Sequence, residues 1–130
     1  MSGSSVIDDT NTSGLFNDSV PAGNRFVALY TELDKRDSDN LWQRQRLAYS
    51  SDGGFNYEIY PEPVLDIGQK EFRDPKVIKH NDGRWIMVGV NSVIIKFTDD
   101  SNDAFVSLLF LLVNIRSFGT NLKISLNGLT

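Results

Sequence analysis

The sequence predicts an all-β fold on three observations: short runs rich in β-branched and aromatic residues, clusters of Asp, Asn and Gly between them, and no helical periodicity of ten residues before residue 100. In chain order, the predicted strands span residues 25–31, 45–50, 55–60 (with Phe55 and Tyr57 alternating), 76–80, 84–90 and 93–98. Asp52-Gly53-Gly54 and Asn81-Asp82-Gly83 fall between such runs. Both are hairpin signals, because Gly and Asn tolerate the positive φ that primed turns demand. Antiparallel meanders follow, as in a sandwich, a barrel or a propeller, rather than βαβ units. The polar run at 32–40, with Asp34, Lys35, Arg36, Asp37 and Asp39, reads as a solvated loop.

Bulk properties narrow the function. A chain of 130 residues has room for one modest domain of the usual 100–200 residues. Its net charge of −4 supplies no basic patch to neutralise phosphates, so nucleic acid is not an expected partner. There is no cysteine and His80 stands alone, which leaves no thiolate or His cluster for a metal. Neither Asp8-Asp9 nor Asp99-Asp100 has calcium-loop spacing, so neither metal nor cofactor is predicted. The N-terminus lacks the cationic start and apolar stretch of a signal peptide. The longest apolar run, 104–113 with Ser107 inside it, is well short of the ~20 residues that cross a bilayer, and no membrane partner is expected. Two glycosylation sequons, at Asn11 and Asn17, sit in a Ser/Thr/Asn/Gly-rich stretch expected to be exposed loop, which fits a secretory ancestry.

Residues 104–130 change character. All 17 acidic residues lie at or before Asp103, whereas the tail holds only Arg116 and Lys123 as charges and 7 of the 13 leucines. This switch divides the chain into 1–103 and an atypical leucine-rich tail, 104–130. The tail is either a hydrophobic helix or strand pair, or sequence not selected to fold with what precedes it, from a frame slip near residue 89 or an intron read through.

Phe72-Arg73-Asp74-Pro75 is the most suggestive local feature. Proline biases Asp74 towards an extended or turn conformation and keeps its carboxylate out of a helix. The neighbouring guanidinium favours the ionised form and offers a fork of donors, and together the two suit the vicinal hydroxyls of a sugar. A turn carrying a surface ion pair is the plainer reading of the same tripeptide. In a regular strand Glu71 and Arg73 share one face and Asp74 takes the other, so Glu71 and Asp74 make a poor acid and nucleophile pair.

Context adds a resemblance. Residues 47–55 (Leu-Ala-Tyr-Ser-Ser-Asp-Gly-Gly-Phe), then Pro63-Val64-Leu65, Phe72-Arg73-Asp74-Pro75-Lys76-Val77 and Arg84-Trp85-Ile86-Met87-Val88, are similar in order and spacing to the invertase, inulinase and levanase group of glycoside hydrolase family 32. Upstream, Ser2-Gly3-Ser4 and Asn11-Thr12-Ser13-Gly14 resemble the family's Phe-Ser-Gly-Ser segment and its following loop. The resemblance covers residues 2–90. It implies a five-bladed β-propeller, of which this chain supplies about two blades, and a retaining mechanism with separate nucleophile and acid/base carboxylates. The family's nucleophile belongs to a Trp-Met-Asn-Asp-Pro-type motif and its acid/base Glu to a Glu-Cys-type motif, and neither occurs in these 130 residues. What the resemblance assigns here is Asp74 as transition-state stabiliser, with Arg73 and Ser2 as substrate-binding residues.

The expected partner, in intact relatives, is sucrose or a fructan, and the expected location extracellular or vacuolar. The 130-residue chain is expected to be inactive alone, and a broken piece to bind neither fructose nor sucrose. A non-catalytic carbohydrate-binding module is the alternative, and hydrolase and fructosyltransferase are not separated. A sialidase-like propeller is a third reading, from the Asp-box pattern of residues 50–57, but it wants an arginine cluster that Arg44, Arg46 and Arg73 do not obviously make. In that hairpin Asp52 and the glycines should fix the turn and the aromatic should pack below. Trp85, Ile86 and Met87 should pack between blades, Trp42 is an interblade or loop aromatic more readily than a sugar platform, and His80 should be exposed at its turn.

Overall fold

The computed structural model describes residues 2–36, 41–82, 84–96, 104–115 and 124–127, and side chains over 2–36, 41–82 and 84–91. Two antiparallel sheets account for nearly all of it. The first contains β1 (Gly3–Ile7), β2 (Phe26–Lys35), β3 (Leu41–Ser50), β4 (Glu58–Ile59) and β5 (Leu65–Gln69), in the order β1-β2-β3-β4, with β5 also pairing β3. The second runs β6 (Phe72–Lys79), β7 (Trp85–Lys96), β8 (Ala104–Ile115) and β9 (Ile124–Asn127) in chain order.

Alternation decides which faces meet. On β2, Val27, Leu29 and Thr31 point inward, and on β3 Gln45 and Leu47 do, with Leu29 opposite Leu47 and Thr31 opposite Gln45. Val27, Leu29 and Leu47 pack with Phe16, Val64 and Leu65 against Phe72, Val77, Trp85 and Met87 of the second sheet, forming one core between the sheets. Each such side chain contributes about 1.5–3 kcal/mol on burial.

Polar ties cross the same seam. The loop after β1 wraps around Asp8, whose fully buried carboxylate accepts from Thr12 N (2.9 Å), Thr12 Oγ1 (2.8 Å) and Ser13 N (2.9 Å). Thr12 Oγ1 in turn accepts from Trp85 Nε1 at 2.6 Å, and Lys79 Nζ reaches Asp9 Oδ1 and Thr10 Oγ1, both at 2.8 Å. Burial pushes the Asp8 carboxyl up, but the hydrogen bonds from Ser13 and Thr12 outweigh it and hold the group below the usual carboxylate range.

Several expectations change. The 32–40 loop begins as strand: Glu32 to Lys35 extend β2 opposite Leu41 to Arg44 of β3, while 37–40 lie outside the described residues. Cross-strand charge replaces apolar alternation there, with Arg44 Nε 2.5 Å from Glu32 Oε2 and Arg44 Nη1 3.2 Å from Asp34 Oδ2. The 55–60 strand shrinks to β4, because Asp52 turns the chain in front of it. Asp52 accepts from Phe55 N (3.1 Å), Asn56 N (3.0 Å) and Asn56 Nδ2 (2.6 Å), bonds led by those from Asn56 that bring its carboxyl down to about 2. Gly53 and Gly54 take φ of 83° and 96°, so the turn is fixed as expected. The aromatic does not pack below it: Phe55 is 88% exposed.

The 84–90 and 93–98 strands are one strand, β7, with 97 and 98 outside the described residues, as are Gly83, Asp99 and Asp100. β1 and β5 were not expected as strands. The described backbone of the tail is strand: β8 pairs β7 from Ile115 opposite Trp85 to Ala104 opposite Lys96, and β9 pairs β8. Trp85 and Met87 are buried between the sheets as expected, Ile86 is half-buried, and His80 is exposed.

Candidate carbohydrate site

Ser2, Gly3 and Ser4 divide the work at the start of β1. Ser2 O accepts from Thr31 N at 3.2 Å, which ties the residue to β2. A Cβ on Gly3 would lie 2.5 Å from Leu29 O, so only glycine lets β1 approach β2 this closely. Ser4 Oγ accepts from Val77 N at 3.0 Å and joins β1 to β6 across the seam.

Asp74 lies on β6 in a bulge. Arg73 pairs with Val90 and Lys76 with Val88, leaving Asp74 and Pro75 opposite Gly89 alone. Proline is tolerated because β6 is the edge of its sheet and the bulge removes the need for its N–H. Asp74 itself takes φ of 61°, a left-handed conformation costing about 1–2 kcal/mol for an L-residue. The carboxylate is kept out of a helix as expected, but by a left-handed residue at a bulge within β6 rather than by a turn.

The bulge has a consequence for direction. Glu71 and Arg73 share a face as expected, with Arg73 Nη1 2.5 Å from Glu71 Oε2. Asp74 does not take the opposite side: both Arg73 and Asp74 line one concavity of about 390 Å³, together with Ser2, Thr31, Leu33 and Gln43. The extra residue of the bulge brings the two neighbours onto the same side. Asp74 is exposed in this concavity and Arg73 half-buried at it.

Ser2, Arg73 and Asp74, the three residues that the resemblance assigns to the substrate, therefore converge, although Ser2 is far from the other two in the chain. Thr31, Leu33 and Gln43 were missed by the sequence. They come from facing positions of β2 and β3, with Leu33 opposite Gln43, and only the register of that hairpin reveals it. Gln43 Oε1 is buried and has no hydrogen-bond partner among the described residues. The concavity thus offers a carboxylate, an amide and hydroxyls beside the apolar Leu33, while Glu71 offsets the charge of Arg73. Such a surface suits a neutral polyhydroxy ligand, which presents O–H donors and C–H faces.

Other candidates sit elsewhere. Arg44 and Arg46 alternate with Gln43 and Gln45 along β3, and they engage Glu32, Asp34 and Pro61 O away from the concavity. No arginine cluster forms with Arg73, which removes the basis of the sialidase-like reading. Trp42 has the cations of Arg36 and Lys70 over its ring, each 5.4 Å from the ring centre, and is not a lining residue. The sequons differ from one another. Asn17 is exposed and accepts from Ser19 N at 3.0 Å, whereas Asn11 is built into the Asp8 loop, with its Nδ2 2.8 Å from Phe16 O and its Ser13 buried. The first sequon is therefore not the open loop expected. Among the described residues no group of three or more acidic or His side chains is placed to hold a metal, and no helix is long and apolar enough to cross a membrane.

Two antiparallel sheets packed face to face, with a concavity lined by Ser2, Arg73 and Asp74 along their seam, define an all-β domain with one candidate site. Residues 1–98 match the glycosyl hydrolases family 32 N-terminal domain, and the chain belongs to that family. An extracellular exo-inulinase of Meyerozyma guilliermondii is 47% identical over 90 residues, which is 68% of this chain and 16% of that protein. An invertase of Schizosaccharomyces pombe is 46% identical over 91 residues, 68% of this chain and 15% of that protein. The chain thus spans under one fifth of either relative. A fructofuranosidase of Schwanniomyces occidentalis, solved in complex with fructose, superposes with a TM-score of 0.74 at 34% identity, covering 98% of this chain and 21% of that one. The exo-inulinase of Aspergillus awamori, at 23% identity and a TM-score of 0.70, shares the fold. The two sheets are blades of a partial β-propeller.

Proposed function

We propose that this chain supplies the transition-state-stabilising side of the site of a glycosidase acting on sucrose or fructans. Asp74 accepts hydrogen bonds from hydroxyls of the fructosyl unit, Arg73 helps to hold that ring, and Ser2 lines the same subsite. Charge-assisted hydrogen bonds of this kind act by positioning and by electrostatics. One observation carries the reading: Ser2, Arg73 and Asp74 share a single concavity in a chain of this family. The retaining chemistry needs a nucleophile and an acid/base. The 130 residues contain neither the Trp-Met-Asn-Asp-Pro-type nor the Glu-Cys-type motif, so the chain alone is inactive in this reading. The intact protein would act outside the cell or in the vacuole, as the name of the M. guilliermondii relative suggests for the former. The tail from 104 lies beyond the family match and is assigned to a frame slip or a retained intron, which the nucleotide sequence tests.

The test is a chimera in which this chain replaces the matching segment of the S. pombe invertase. The expected result is sucrose hydrolysis that Asp74→Asn lowers by about 10²–10³ in kcat. A folded chimera in which Asp74→Asn keeps full activity would overturn the assignment. The second reading, a non-catalytic sugar-binding module, is favoured by a concavity that stands complete without the two motifs. It predicts no hydrolysis under any condition and no recovery of activity in the chimera. Fructose binding by the 130-residue chain is expected of both readings, because Ser2, Arg73 and Asp74 converge within it, in place of the expectation that a broken piece binds neither sugar.

A further inference from the structure

We propose that Gly89, Phe72 and Gln45 form a clamp that sets the conformation of Asp74, which makes Gly89 and Gln45 positioning residues for that carboxylate. The geometry begins with the bulge, where Gly89 is the single residue of β7 opposite Asp74 and Pro75. A Cβ at position 89 would meet Phe72 Cε2 at 2.7 Å and Cζ at 3.1 Å. The ring of Phe72 therefore occupies the space that any other residue at 89 would claim, and it is fully buried there. Ring edges in a close-packed interior have no slack to yield, so an added methyl must move the ring or the strand.

A second contact holds the same residue by its main chain. Gln45 Nε2 donates to Phe72 O at 2.9 Å, and Gln45 Oε1 accepts from Thr31 Oγ1 at 3.1 Å. Gln45 is fully buried, and this relay fixes its amide in one orientation. The chain is thus pinned by ring and by carbonyl two residues before Asp74, and Pro75 is buried directly after it. A left-handed aspartate persists only where its surroundings over-determine it. The clamp supplies that constraint on one side and the proline on the other. Neither Gly89 nor Gln45 lines the concavity, so Gly89 acts on a ligand through Asp74 and Arg73, and Gln45 through those two and through Thr31.

The ligand part of this inference rests on the fructosyl reading above, whereas the conformational part does not. The experiment therefore has two arms on the full 130-residue chain. In the first, the HN–Hα coupling and Cα shift of Asp74 report its φ by NMR in wild type, Gly89→Ala, Gln45→Leu and the double variant Gly89→Ala/Phe72→Leu. The wild type is expected to show the left-handed signature, both single variants to lose it, and the double variant, which gives the added methyl room, to recover it. In the second arm, fructose titration should show affinity falling about tenfold to a hundredfold in the single variants and returning in the double one. Val27→Ala, in the core at the far end of β2, should lower the melting temperature without moving either readout.

Retention of the Asp74 signature in Gly89→Ala and Gln45→Leu would overturn the clamp, as would an equal loss of affinity in Val27→Ala. Should Gly89→Ala not fold, Phe72→Leu alone empties the slot, and an unchanged Asp74 signature there counts equally against the clamp. Absence of fructose binding by the wild type would remove the fructosyl reading, and the first arm would still decide the clamp.

Discussion

Asp8 and Asp74 both lie near the seam between the sheets, and they are held in opposite ways. Asp8 is fully buried and both its oxygens accept from Thr12 and Ser13, so it organises a loop and is out of reach of a ligand. Asp74 is exposed, held at positive φ, and open to a concavity shared with Ser2 and Arg73. The first carboxylate is satisfied by its own chain. The second is constrained through its backbone, while its side chain remains available. Constraint without satisfaction is what separates the proposed site residue from the structural one.

Substitutions sharpen that contrast in a definite order. Leu47→Ala, in the core behind both regions, should cost about 2–5 kcal/mol in denaturant unfolding and weaken both. Asp8→Asn should cost about 1–3 kcal/mol, because a buried acceptor network is broken, while leaving fructose affinity unchanged in the molecules that remain folded. Asp74→Gly should do the reverse: a gain of up to about 1 kcal/mol from relief of the left-handed conformation, with sugar binding lost. A destabilised Asp74→Gly, or an Asp8→Asn that loses sugar while folded, would break the distinction. The smallest effect is expected for Arg44→Ala, about 0.2–1 kcal/mol, because its pairs with Glu32 and Asp34 are partly solvated. That loss should shrink further at high salt.

Acid provides an independent handle. The carboxyl of Asp8 is lowered on folding from an ordinary value of 3.8. A depressed native pKa means that the unfolded chain binds the proton first, so the stabilisation is complete above about 3.8 and is lost as pH falls through the lower native value. Asp52 behaves with the same sign over the window from 3.8 to about 2. Unfolding free energy measured between pH 5 and pH 2 should therefore fall with acid, and Asp8→Asn should flatten that slope.

Much of the fold was legible because its signals are local. The Asp52 turn is written in Asp-Gly-Gly, and the alternation of Val27, Leu29 and Leu47 reveals the strands that bury them. The extension of β2 and β3 through Glu32 to Lys35 was hidden because charge pairing across a hairpin has no apolar period to detect. Asp74 and Arg73 were legible as a motif, but their shared side was not, since a one-residue bulge reverses facing and leaves no mark beyond the proline. Thr31, Leu33 and Gln43 were unreadable for a different reason: their role depends on the register of two strands against a third that begins thirty residues later. Gly89 falls inside the predicted 84–90 strand with nothing in the sequence to mark it, and only the packing of the Phe72 ring against it requires a glycine there.

The most direct test of the distinction is a crystal structure of the chain grown or soaked with fructose. Fructose hydroxyls within hydrogen-bond reach of the Asp74 carboxylate and of Ser2, with Asp8 still closed by Thr12 and Ser13, is the expected result. A sugar bound elsewhere, such as on the face of Trp42, with the Asp74 concavity empty at saturating fructose, would contradict it.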